Sequence, residues 1–64
     1  MDKKEIIIRL KGHLKARKQQ NGELNKRDLD YCTAYVMDFL LIPRKQAKQF
    51  LADNLPEVAS LVKG

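Results

Sequence analysis

Few side chains in this sequence could do covalent or acid–base chemistry, so each can be weighed on its spacing. There is one cysteine and one histidine, and a nucleophile with its base would have to be Cys32 with His13. Cys32 stands among apolar neighbours, where a thiol usually behaves as a small hydrophobe. His13 falls between the apolar arc and the solvent side of its helix and reads as a partly exposed bystander. Asp30 and Asp38 are eight positions apart, too far on a helix for a carboxylate pair, so Asp38 reads as a solubilising or ion-pairing group. One histidine with one cysteine cannot close a structural zinc site, and a single cysteine forms no internal disulfide. The phosphate-loop, dinucleotide, H-E-x-x-H and C-x-x-C patterns do not occur. The expectation is a non-enzymatic chain with no cofactor, no metal and no small-molecule substrate.

Positive charge is the chemistry the chain has in quantity. Thirteen Lys and Arg against eight Asp and Glu give a net charge of +5, unevenly spread. Residues 1–27 carry nine bases against three acids, residues 28–43 three aspartates and no base, and residues 44–64 four bases against two acids. On a helix Lys4, Lys11, Lys15 and Lys18 fall within about 60° of arc beside Ile7, a row about 21 Å long. Such a row could track the phosphates of a duplex, each neutralised phosphate releasing counterions; otherwise it is an ordinary solvated face. Basic pairs also open three helices, as Lys3-Lys4, Lys26-Arg27 and Arg44-Lys45. The helix dipole disfavours cations there by a few tenths to about 1 kcal/mol, and local rules broken without evident gain often mark function. Asp2, Glu5 and Asp28 offset part of this cost.

Two further groups bear on binding. Tyr31 and Tyr35 lie four apart on one side of a helix with Phe39 one turn on, rings that could stack bases. Neither tyrosine has a basic residue within a helical turn, so Tyr31, Tyr35 and Phe39 read as core or protein-interface anchors instead. The second group, Arg44, Lys45, Gln46, Lys48 and Gln49, could reach phosphates and base edges from a helix-turn-helix. The match to that motif is poor. Pro43 occupies the joint, and aligning Ala47 with the motif's small residue puts Leu51 at its glycine position.

Four helices joined by short turns must position these groups. The first spans residues 3–20, with Ile6, Ile7, Leu10 and Leu14 on one face and Asn21-Gly22 as its stop. Gly12 shares a face with Ile8 and Ala16, which predicts a close crossing by another helix. The second helix is capped by Asn25 with Asp28 three residues on and a Leu24–Leu29 staple, and runs to about residue 41. Between residues 29 and 42, eleven of fourteen positions are apolar, so this helix belongs at the centre of the domain or in a dimer seam. Pro43 opens a third helix to about residue 53, with Ala47, Phe50 and Leu51 inward. Asn54 and Pro56 start a short fourth to residue 63, whose apolar side is Val58, Ala59, Leu61 and Val62.

The whole is one all-α domain, a small compact bundle of three main helices plus a short C-terminal helix. There is no run of 18 apolar residues and no signal-like N-terminus, which points to a cytoplasmic chain. Without disulfide or metal, the core of a 64-residue chain rests on packing alone, which makes self-association or a partner an option. The leading functional expectation is nucleic-acid binding, as in DNA-binding regulators of transcription. Lys11, Lys15, Lys18, Arg44, Lys45 and Lys48 would contact phosphates, and Gln46 or Gln49 base edges. The size and charge are those of small regulators, including those of phages and mobile elements. The alternative is a protein-binding module, an inhibitor, adaptor or homodimer, using the apolar second helix. A membrane surface is the least favoured partner, supported only by the basic amphipathic first helix.

Overall fold

The helices begin and end largely where the sequence supplies caps. In the computed structural model, which describes residues 2–63, α1 spans Lys3–Asn21 and α2 spans Lys26–Leu40. They are followed by α3, Arg44–Asn54, and α4, Pro56–Lys63. The Asp2 carboxylate accepts the Glu5 N–H at 2.8 Å, starting α1. Gly22 closes it in the left-handed region (φ 83°), its N–H donating to the Lys18 carbonyl at 2.7 Å.

The start of α2 is a full capping box. The Asn25 side chain accepts the N–H groups of Arg27 (2.9 Å) and Asp28 (3.3 Å), and Asp28 Oδ2 accepts the Asn25 N–H at 3.0 Å. Leu24 packs, half-buried, against the core that holds Leu29. At the other end Leu41 is the C-cap, left-handed at φ 55° although it is not glycine. Pro43 sits one position earlier than expected, as the N-cap of α3 and not inside its first turn.

The joint between α3 and α4 differs from the expected one. Asn54 does not cap α4. It remains in α3, where its amide donates to the Phe50 carbonyl at 2.9 Å, and Leu55 alone links the two helices. Pro56 then fills the first position of α4, where its missing N–H costs nothing.

Every helix contributes to one core. Ile6, Leu10 and Leu14 come from α1, Leu29, Cys32 and Val36 from α2, Ala47 and Leu51 from α3, with Leu55 and Val58 closing the end. As its composition predicts, α2 packs against all three other helices. Its Thr33 is buried with its polar group satisfied, the hydroxyl donating to the Leu29 carbonyl at 2.8 Å. α1 rests chiefly on α2. The close crossing expected at Gly12 is not there: a Cβ at this position would meet nothing within 4 Å. Ile8, 69% exposed, and Ala16 share that open face. The buried stripe of α1 lies on the opposite side of the helix, so the glycine here makes room for no neighbour within the fold.

Candidate nucleic-acid interface

The two flanks of α1 carry cations in different states. On one flank Lys4, Lys11, Lys15 and Lys18 are all exposed, and none pairs with a carboxylate among the described residues. The structure thus brings Lys11, Lys15 and Lys18 together as a row, as the helical spacing requires.

The α3 residues do not form one row. Arg44, Lys45, Gln46 and Gln49 are exposed, but Lys48 is half-buried and lines a hollow of about 470 Å³ with Lys26, Leu29, Leu61 and Val62. Gln46 and Gln49 line a different hollow of about 490 Å³, shared with Lys3, Leu40, Ile42, Phe50 and Asp53. Positions 46 and 48 differ by about 200° around a helix, which splits the set. The Gln49 amide is also engaged, donating to Asp53 Oδ1 at 2.8 Å.

The other flank of α1 meets α2 and builds an arrangement that single-helix spacing could not show. Arg9, His13 and Arg17 recur every fourth residue and meet Tyr35, Tyr31 and Asp28 in turn, so the helices run antiparallel in register. The His13 ring stacks on Tyr31 with centroids 4.1 Å apart and planes inclined by 22°. Tyr31 and Tyr35 follow at 6.3 Å, and Tyr35 and Phe39 at 4.7 Å, giving a continuous ladder of four rings. Tyr31 is 50% and Phe39 47% exposed, while Tyr35 is half-buried. His13 is therefore no bystander. The objection that the tyrosines lack basic neighbours also fails, because Arg27 precedes Tyr31 by one turn of α2 itself and α1 supplies Arg9 and Arg17 from across the interface. The signal is present in the sequence as two rows of period four, Arg9, His13 and Arg17 in the first helix and Tyr31, Tyr35 and Phe39 in the second.

Arg17 Nε donates to Asp28 Oδ1 at 3.0 Å, and the Asp28 side chain is 2% exposed against 34% for Arg17. The Asn25 N–H, and then Arg17, hold the Asp28 carboxyl below the usual carboxylate range against the opposing pull of burial. Arg9 donates to Glu5 at 3.1 Å on an open surface, and Glu5, with a weaker contribution from the Tyr35 hydroxyl, favours its charged form. A shallow hollow of about 320 Å³ at one end of the ladder is lined by His13, Arg17, Arg27, Asp28 and Tyr31.

Cys32 lies in the core, where burial pushes its thiol up to about 11, so the thiolate is disfavoured. No hydrogen bond joins it to His13 among the described residues. Among the same residues no group of three or more His, Cys, Asp or Glu could hold a metal ion, and no helix is long and apolar enough to cross a membrane. Comparison with family models, curated proteins and solved structures finds no match to this chain.

Proposed function

We propose that this is a small non-enzymatic regulatory module that binds nucleic acid through lysine and arginine contacts to phosphates. The observation that carries this reading is the open row of Lys4, Lys11, Lys15 and Lys18, none of which is paired with a carboxylate among the described residues. A cation without an internal partner keeps its full capacity to displace the counterions of a phosphate backbone. Arg44 and Lys45 add a second exposed pair, and Gln46 is the freer of the two glutamines to meet a base edge. With no catalytic constellation in its sequence, the protein would act by occupancy, as a cytoplasmic regulator of transcription does.

The test is fluorescence anisotropy of labelled nucleic acid titrated with protein across a range of salt concentrations. Binding that weakens steeply with salt is expected. Replacing Lys11, Lys15 and Lys18 together by Gln is expected to reduce the logarithmic salt slope by roughly 2–3, at about 0.7–0.9 for each phosphate no longer neutralised. No binding even at low salt would overturn the reading.

One observation favours the protein-binding alternative. Leu41 is 87% exposed at the end of α2, close in sequence to Leu40 and Ile42, which with Phe50 form the apolar part of the hollow that Lys3, Gln46, Gln49 and Asp53 also line. Self-association through that end predicts a dimer in sedimentation at micromolar concentration, and a monomer at high concentration would remove it.

A further inference from the structure

Building on the nucleic-acid reading, we infer that the preferred ligand is single-stranded, with its bases laid on the Tyr31–Tyr35–Phe39 ladder and its phosphates on Arg9, Arg17 and Arg27. The core does not need these rings exposed as they are. It closes around Leu29, Cys32 and Val36 of the same helix, while Tyr31 and Phe39 leave about half their surface in water. The ladder runs about 12 Å along α2, enough for about three nucleotides at ~3.4 Å each.

The charge beside the ladder comes from arginine. Arg27, exposed and in no ion pair among the described residues, precedes Tyr31 by one helical turn and lines the hollow at that end. Arg9 and Arg17 stand along the α1 side, holding Glu5 and Asp28 respectively. A guanidinium has five N–H donors, so one that holds a carboxylate still has donors for a phosphate. Stacking needs base faces, which a duplex buries between its own pairs. A cationic peptide would meet these arginines and the net charge of +5.

His13 is a positioning residue. Its ring covers one face of Tyr31 and sets the orientation of that ring before any ligand arrives, which reduces the side-chain freedom given up on binding.

The chain has its own reporter for this site: it holds two tyrosines and no tryptophan, and both tyrosines are in the ladder. The experiment titrates the full chain with an unlabelled mixed-sequence oligonucleotide of about a dozen nucleotides, single-stranded or annealed, and follows tyrosine emission beside anisotropy of a labelled copy. Expected are tighter binding of the single strand, by about 10-fold or more, and quenching of tyrosine emission by that strand. Tyr31→Leu with Phe39→Leu, both at half-exposed sites, is expected to keep the helical circular dichroism and to remove the single-strand preference. Equal affinity for strand and duplex, with emission unchanged, would overturn the ladder while the lysine row stands. Binding to neither form would overturn both.

Discussion

Both flanks of α1 carry basic side chains at helical spacing, every fourth residue for Arg9, His13 and Arg17 and seven, four and three apart for Lys4, Lys11, Lys15 and Lys18, yet they do different work. Arg9, His13 and Arg17 each have a partner: Glu5 and Tyr35, the Tyr31 ring, and Asp28. Lys4, Lys11, Lys15 and Lys18 have no carboxylate partner among the described residues. A cation fixed by a partner gives up mobility and supplies geometry. An unpaired one supplies long-range charge and nothing to the fold. Substitutions on the α2-facing flank are therefore expected to change stability as well as binding, and those on the lysine flank to change electrostatics with little effect on the fold.

The largest effect is expected at Asp28, which serves α2 as its capping-box carboxylate and α1 as the partner of Arg17. Asp28→Ala removes the bond to the Asn25 N–H and leaves Arg17 unpaired. A cap is worth about 1 kcal/mol and a hydrogen bond to a charged group about 1.5–3, the latter discounted because Arg17 is one-third exposed. A loss of about 2 kcal/mol is expected, roughly a 10 °C fall in Tm by thermal circular dichroism. The pH dependence has a definite sign. Because the folded carboxyl titrates below its unfolded value, its contribution is complete above about pH 4 and is lost as pH falls through the folded pKa. The wild type should therefore lose stability on acidification more steeply than Asp28→Ala. Parallel acid curves would show that Asp28 couples nothing across the two helices.

How much of this is legible in the sequence follows the range of each interaction. The Asn25–Asp28 box, the Gly22 stop and the lysine row can all be read because each lies within one helix or one turn. Asn54 defeats such a reading because two local roles compete for it, and its bond to the Phe50 carbonyl keeps it in α3. The pairing of Arg17 with Asp28 and of His13 with Tyr31 depends on the antiparallel register of α1 against α2. Periodicity within one helix does not contain that register, although the two matching rows of period four are its trace. The α3 set looks like one surface in the linear sequence and proves to be two, because polar residues two apart point to opposite sides of a helix.

The next effect has the opposite sign and concerns the third, outward face of α1. Gly12 has open space where a Cβ would stand, so Gly12→Ala gains helix propensity with no steric cost. An increase of about 0.5–1 kcal/mol is expected, or a few degrees in Tm. A decrease in stability at high protein concentration that vanishes on dilution would show that a second copy approaches Ile8, Gly12 and Ala16. The outward face would then belong with the partnered flank.

The smallest effect tests the lysine flank itself. Lys11 and Lys15 are four apart and Lys15 and Lys18 three apart, so the row repels itself by a few tenths of a kcal/mol per pair. Replacing Lys11, Lys15 and Lys18 by Gln removes that repulsion and breaks no ion pair among the described residues, so urea unfolding at low salt should show a gain below about 0.5 kcal/mol. At high salt the gain should disappear, because exposed charges are then screened over about 3 Å. A loss of more than about 1 kcal/mol that persists in high salt would mean that the methylene stems of these lysines pack on Ile7 and the core edge. The row would then be structural, and its exposed charge would no longer be a reason to assign it to phosphates.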